Sequence, residues 1–148
     1  MNPAFQTNDL KFALNKAEIK TLVMPESHSK SNYVEIVGRL IPNLGYNGST
    51  TVNSEEVPNL KHVIVSGSNK HKGMINFKEL YNIYSKNDVE ELKKREMETS
   101  FEAAVNIQFT SGTTGFPKGA TLSHHSILNN GYSHGQIMGY NDDTKLLV

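Results

Sequence analysis

Cysteine and tryptophan are both absent from the chain, and neither sign of charge is in surplus: 15 Lys and Arg stand against 15 Asp and Glu. Without cysteine there is no disulfide framework, no thiolate metal site and no cysteine nucleophile, so any chemistry falls to hydroxyls, carboxylates, lysines, histidines or bound cofactors. The same absence fits reducing and oxidising compartments alike. A formal net charge of zero at pH 7 excludes a protein that binds nucleic acid or anionic membranes through bulk positive charge. Long hydrophobic runs are missing too, and no stretch approaches the roughly 20 apolar residues of a membrane-spanning helix. The opening Met1-Asn2-Pro3-Ala4-Phe5 has no basic segment before an apolar core and no Arg-rich amphipathic stretch, so no targeting segment is expected in this chain.

What is present reads as alternating helices and strands over 148 residues, about one domain's worth of chain. Thr7 or Asn8 can cap a helix whose apolar positions Leu10, Ala13, Leu14 and Ala17 follow the i, i+3, i+4, i+7 rule. Thr21-Leu22-Val23-Met24, stopped by Pro25, reads as a strand buried on both faces. Ser31 or Asn32 opens a second helix carrying Ile36, Val37, Leu40 and Ile41 and ended by Pro42. Residues 43–58, with Gly45, Gly48, Asn53 and Pro58, have the composition of a surface loop. Leu60 to Val65 is the next buried-strand candidate, and a helical pattern resumes from Asn76 through Phe77, Leu80 and Tyr81.

After Asn87 comes a charge-dense helical piece. It suits a solvated face with i, i+4 pairs such as Glu90 with Lys94 and Glu91 with Arg95, the alternative being a partner-binding helix. The alternation of helix and strand predicts an α/β fold, a partial doubly wound and mainly parallel sheet.

Charge is unevenly spread. From Phe101 to Asn141 the only formally charged side chains are Glu102 and Lys118, and six of the 11 glycines lie between Gly112 and Gly139. Here Val105 to Phe109, a strand-like run, leads into Thr110-Ser111-Gly112-Thr113-Thr114-Gly115-Phe116-Pro117-Lys118-Gly119. Glycines let backbone N–H groups line a concavity, hydroxyls add donors, and a lysine brings a mobile positive charge, which together suit a polyphosphate. The Walker pattern is not met, because Pro117 precedes Lys118 and Gly119 follows it. Ala120-Thr121-Leu122 reads as a second strand and Ser123 as the cap of a helix containing Ile127 and Leu128, giving strand, loop, strand, helix. A plain glycine-rich hairpin turn is the bland alternative, but a tight hairpin spends two to five residues and this connection about nine.

The segment Thr110 to Gly119 resembles the phosphate-binding signature of the adenylate-forming superfamily, the AMP-dependent synthetases and ligases that include acyl-CoA synthetases, luciferases and nonribosomal adenylation domains. Gly119 to Tyr132 and Asn2 to Pro25 resemble more narrowly its mitochondrial medium-chain acyl-CoA ligase branch. The resemblance implies two half-reactions: a fatty carboxylate attacks the α-phosphate of ATP to give acyl-adenylate and pyrophosphate, then the thiol of coenzyme A displaces AMP. It implies ATP-phosphate binding by Thr110, Ser111, Gly112, Thr113, Thr114, Gly115, Phe116, Pro117 and Lys118, with no proton-transfer catalyst among them, no metal ligand here, and Mg2+ held mostly outside this chain. It implies fatty acid, ATP and coenzyme A as partners, no nucleic acid, and a mitochondrial location.

By the same resemblance, residues 1–148 are expected to be a segment of the large N-terminal domain, with 1–100 an α/β scaffold and 101–148 the phosphate-loop region. The small C-terminal domain is expected to be absent. By the resemblance, the aromatic-Gly-x-Thr-Glu segment, the aspartate for the ribose hydroxyls, the C-terminal adenylation lysine and most of the acyl tunnel are expected to lie outside this chain as well. The segment is therefore expected to be inactive alone, the other readings being a non-catalytic nucleotide-binding or interaction fragment, or a ligase for another carboxylate. His124 and His125 could line the acyl or nucleotide site or simply build the first helical turn. His28, His62, His71 and His134 show no partner spacing, and Asn129-Asn130-Gly131 suggests close helix packing or an irregularity.

Overall fold

The computed structural model describes residues 2–110 and 117–145, and the chain divides into two compact units, Met1–Glu91 and Leu92–Val148. The first opens with α1, Thr7–Lys16, whose Leu10, Ala13 and Leu14 are buried as their spacing requires. Its cap is Gln6 rather than Thr7 or Asn8, and the Asp9 carboxylate accepts a hydrogen bond from the Gln6 N–H at 3.1 Å. The helix ends with Glu18 in the left-handed region at φ 50°. Glu18 N–H donates to the Asn15 carbonyl at 3.2 Å and Ile19 N–H to the Leu14 carbonyl at 2.9 Å. This is a Schellman turn without its usual glycine, and Ile19 packs onto the core beyond it.

Strand β1, Thr21–Pro25, pairs in parallel with β4, His62–Ser66, and β4 with β5, Ile75–Asn76, giving a parallel sheet of order β1-β4-β5. The parallel α/β sheet expected from the sequence is therefore present. Between β1 and β4 lie a small hairpin of β2, Ser27–His28, and β3, Ser31–Asn32, and the helix α2, Tyr33–Leu40. Asn32 caps α2 through its side chain, which accepts from Glu35 N–H at 3.2 Å.

The core gathers Leu10 and Leu14 of α1, Ile36, Val37 and Leu40 of α2, and one face of the sheet, where Leu22 is in register with Val63 and Met24 with Val65. β1 alternates exposed and buried, with Val23 54% exposed, so it is covered on one face and not on both. As the edge strand it has a single neighbour, whereas Ile64 in the central strand lies between Val23 and Ile75 and is buried.

The loop 43–58 is less of a surface excursion than its composition suggests. Val52 and Val57 are 3% and 1% exposed, members of the core cluster. α1 holds the loop from above through a Lys11–Glu56 ion pair and an Asn15 Nδ2 bond to the Glu56 carbonyl at 2.8 Å. After β5 the predicted helix is a 3-10 helix, Phe77–Asn82. α3, Lys86–Glu98, starts ahead of the expected Asn87, because Ser85 and Asp88 exchange hydrogen bonds across its first turn, Ser85 N–H to Asp88 at 2.7 Å and Asp88 N–H to Ser85 Oγ at 3.3 Å. It runs across the division between units and is exposed throughout.

The second unit contains β6, Ala104–Thr110, β7, Lys118–Ser123, and α4, His124–Ile137. β6 and β7 form a two-stranded antiparallel sheet. None of its described residues is buried, and Ile107, Ile127, Leu128, Tyr132 and Ile137 are exposed.

Candidate functional site

The β6–β7 hairpin carries the candidate phosphate loop. Its ladder runs from Ala104 opposite Ser123, through a register shift before Asn106, to Phe109 opposite Gly119 and Thr110 opposite Lys118. A side chain at Gly119 would have its Cβ 3.1 Å from the Ile107 methyl and 3.7 Å from the Phe109 ring, so a glycine lets this end of the ladder close under two large neighbours. The Thr110 hydroxyl lies 3.5 Å from the Lys118 carbonyl oxygen, and Lys118 itself is exposed.

The expected strand, loop, strand, helix order therefore holds, and it brings Thr110 and Lys118 together as the last pair of the ladder, with Pro117 just before it. Ser111, Gly112, Thr113, Thr114, Gly115 and Phe116 lie outside the described residues. Among the described residues there is no cluster of three or more metal-ligating side chains and no helix long and apolar enough to cross a membrane.

α4 starts where the sequence placed it. The Ser123 hydroxyl accepts from Ser126 N–H at 3.1 Å, satisfying one of the helix's orphan donors. The far end closes on Gly139 at φ 68°, with Gly139 N–H donating to the Gln136 carbonyl at 3.2 Å and Tyr140 N–H to the Gly135 carbonyl at 2.9 Å. This is the same turn that ends α1, here with the residue that adopts it without a Cβ penalty. The helix runs unbroken through Asn129-Asn130-Gly131, and beyond the helix's own adjacent backbone no described atom lies within 4 Å of a Cβ built on Gly131. The expected close packing at that triplet is not found among the described residues.

His125 has a defined structural role. Its Nδ1 lies 3.0 Å from Glu102 Oε1, its N–H donates to the Phe101 carbonyl at 3.0 Å, and its ring meets Phe101 edge-on at 5.4 Å. These contacts tie the first turn of α4 to the turn that precedes β6. Glu102, one of two charges in the whole segment, thus serves the open end of the hairpin while the other, Lys118, stands at the loop end.

The sequence reading missed a polar cluster in the first unit. His71, which shows no partner spacing in the sequence, has its Nε2 3.0 Å from Glu26 Oε1. The His71 contact and a hydrogen bond from Asn69 N–H hold the Glu26 carboxyl below its ordinary range. No local spacing could have announced this pair, because 45 residues separate the partners.

Comparison with known proteins accounts for the whole chain. The model of the family described as AMP-binding enzyme matches residues 1–148. The chain is 37% identical over 141 residues, 95% of its length, to the mitochondrial medium-chain acyl-CoA ligase ACSF2 of Danio rerio, covering 23% of that protein. It is 36% identical over 137 residues to the mouse protein of the same name, covering 92% of this chain and 22% of that protein. A putative acyl-CoA synthetase, YngI, of Bacillus subtilis (strain 168) is 28% identical over 148 residues, all of this chain and 27% of that protein. The chain thus spans about a quarter of the length of these curated relatives. No solved structure matches it.

Proposed function

The chain belongs to the AMP-binding enzyme family, and from that premise we propose that it supplies the ATP-phosphate site of a fatty acyl-CoA ligase acting on medium-chain acids. The observation that supports this most is the hairpin itself: a ladder that ends on Thr110 opposite Lys118 holds both ends of a hydroxyl- and glycine-rich loop beside one exposed lysine. The names of the relatives, medium-chain acyl-CoA ligase and acyl-CoA synthetase, support the reaction class, and the word mitochondrial in the first supports that location.

In this reading the carboxylate oxygen of the fatty acid attacks the α-phosphorus of ATP. The bond to the bridging oxygen breaks, and the electron pair leaves with pyrophosphate. The role of this chain is to hold that leaving group. Thr110, Ser111, Thr113 and Thr114 would supply hydroxyl donors, Gly112 and Gly115 would place no Cβ between backbone and phosphates, Phe116 and Pro117 would complete the segment, and Lys118 would offset the developing negative charge. The thiol sulfur of coenzyme A then forms the thioester bond as AMP departs. In this reading magnesium enters with ATP as part of the substrate, and its protein ligands lie mostly outside this chain. Residues 1–148 are, on the same reading, part of the large N-terminal domain and do not complete the cycle alone, a reading supported by the chain's span of about a quarter of its relatives' length.

Equilibrium binding and exchange test this together. ATP and pyrophosphate should bind the chain, with Lys118→Ala weakening both about tenfold, the scale of one charge-assisted contact. Fatty-acid-dependent pyrophosphate exchange by the chain alone should be undetectable. In a full-length ligase carrying this segment, Lys118→Ala should slow exchange by about one to three orders of magnitude. Unchanged ATP binding in the variant would remove Lys118 from the site, and robust exchange by the chain alone would sink the claim that it is incomplete.

A further inference from the structure

The ends of β1 and β4 bring together polar groups 43 to 45 residues apart in sequence. Glu26 follows β1 directly, and residues 67–74 connect β4 to β5. Asn69 N–H donates to Glu26 Oε1 at 3.1 Å, Asn69 Nδ2 to Oε2 at 3.3 Å, and His71 Nε2 lies 3.0 Å from Oε1. Both carboxylate oxygens are engaged, and every donor comes from the β4–β5 connection. We propose that Gly67–His71 is a cradle for a carboxylate, which this chain fills with its own Glu26, so that Glu26 fastens the connection to the end of β1.

Four further observations carry the proposal. The Glu26 main chain is fixed independently of its side chain, because its carbonyl accepts from Tyr33 N–H at 3.0 Å at the start of α2. The carboxylate is thus presented from a rigid point rather than carried by the loop it binds. The cradle is itself braced, with Asn76 Nδ2 donating to the Gly67 carbonyl at 3.1 Å and to the Asn69 carbonyl at 3.3 Å. At Gly67 an added Cβ would lie 2.5 Å from the Glu26 carboxyl carbon, so a side chain there would displace the carboxylate.

Finally, the charged neighbours of His71 have other partners. Lys70 pairs with Glu79 at 2.9 Å, and the Lys72 ammonium stands 6.0 Å from the centre of the Tyr46 ring. The donors that meet Glu26 are therefore one imidazole, one backbone amide and one carboxamide, a set that recognises a planar two-oxygen anion by hydrogen bonding rather than by bulk charge. The reading is independent of the phosphate loop.

Amide hydrogen exchange on the whole chain, read residue by residue by NMR at neutral pH, tests it. Glu26→Gln, which keeps the shape and removes the anion, should lower protection of the Asn69 amide about tenfold while Val63 and Val65 in β4 keep theirs. Glu26→Ala should show the same loss, and sodium formate should restore Asn69 protection saturably where sodium chloride at equal ionic strength does not. Undiminished Asn69 protection in Glu26→Gln would overturn the proposal. Formate acting no better than chloride in Glu26→Ala would do the same. Loss of protection throughout β4 would also overturn it, since Glu26 would then be a determinant of the whole sheet and not a fastener of one connection.

Discussion

Two leucine-to-alanine substitutions, one in each unit, should have very different costs. Leu14 is 2% exposed and sits in the cluster shared by α1, α2 and the sheet, whereas Leu128 in α4 is 68% exposed. Removing three carbons from Leu14 forfeits about 0.8 kcal/mol of transfer free energy for each. The cavity left behind adds to this, and buried leucine truncations of this kind cost about 2–5 kcal/mol in total. For a unit of roughly 90 residues with an unfolding entropy near 2.1 cal/mol/K per residue, a loss of about 3 kcal/mol lowers Tm by about 15 °C. Leu128→Ala removes the same atoms from a site already in water and should change stability by under about 0.5 kcal/mol. Thermal unfolding followed by far-ultraviolet circular dichroism, with urea titrations as a second measure, separates the two. Equal shifts for the pair, or a Leu14→Ala protein that melts with the wild type, would refute the assignment of the core to the first unit.

The Schellman turn after α1 offers a gain in stability. Glu18 carries a left-handed penalty of about 1–2 kcal/mol, and glycine gives back about half in chain entropy, so Glu18→Gly should raise stability by about 0.5–1 kcal/mol in urea titrations; a loss would show that the Glu18 side chain does more than tolerate its φ. Acid should loosen the Glu26 cluster. Because the folded-state carboxyl is held below its unfolded value, first by His71 and then by Asn69 N–H, its contribution is present above the ordinary carboxylate range and is lost as pH falls through the lowered folded value. Urea midpoints of the wild type and Glu26→Gln, compared from neutral pH down through the carboxylate range, should converge at the acid end; a constant gap at all pH values would deny the linkage.

Caps and periodicities were legible because they are local. Asn32 and Ser123 were each placed within a residue of the helix they begin, since their side chains satisfy backbone donors two or three positions on. Glutamine is not a favoured cap, and the Gln6 bond with Asp9 runs from backbone to side chain, so residue type gives no signal there. The uniform apolar run of β1 could not show that one of its faces is left open, because that depends on strand order, with β1 at the edge and β4 in the middle. Val52 and Val57 were hidden in a loop composition although both reach the core. The two strands β6 and β7 are readable as strand-like runs on either side of a glycine-rich stretch, whereas their antiparallel pairing is not. Nor is the Glu102–His125 tie, since it needs the hairpin to fold before its partners meet.

The pairing of Thr110 with Lys118 also bears on how the loop sequence can vary. The ladder holds the two ends of the seven intervening residues at the roughly 5 Å spacing of neighbouring strands, so the chain has already been closed into a ring before any ligand arrives. Doubling such a ring costs only about 0.6 kcal/mol. The cost of closing the hairpin therefore depends only weakly on how many residues separate Thr110 from Lys118.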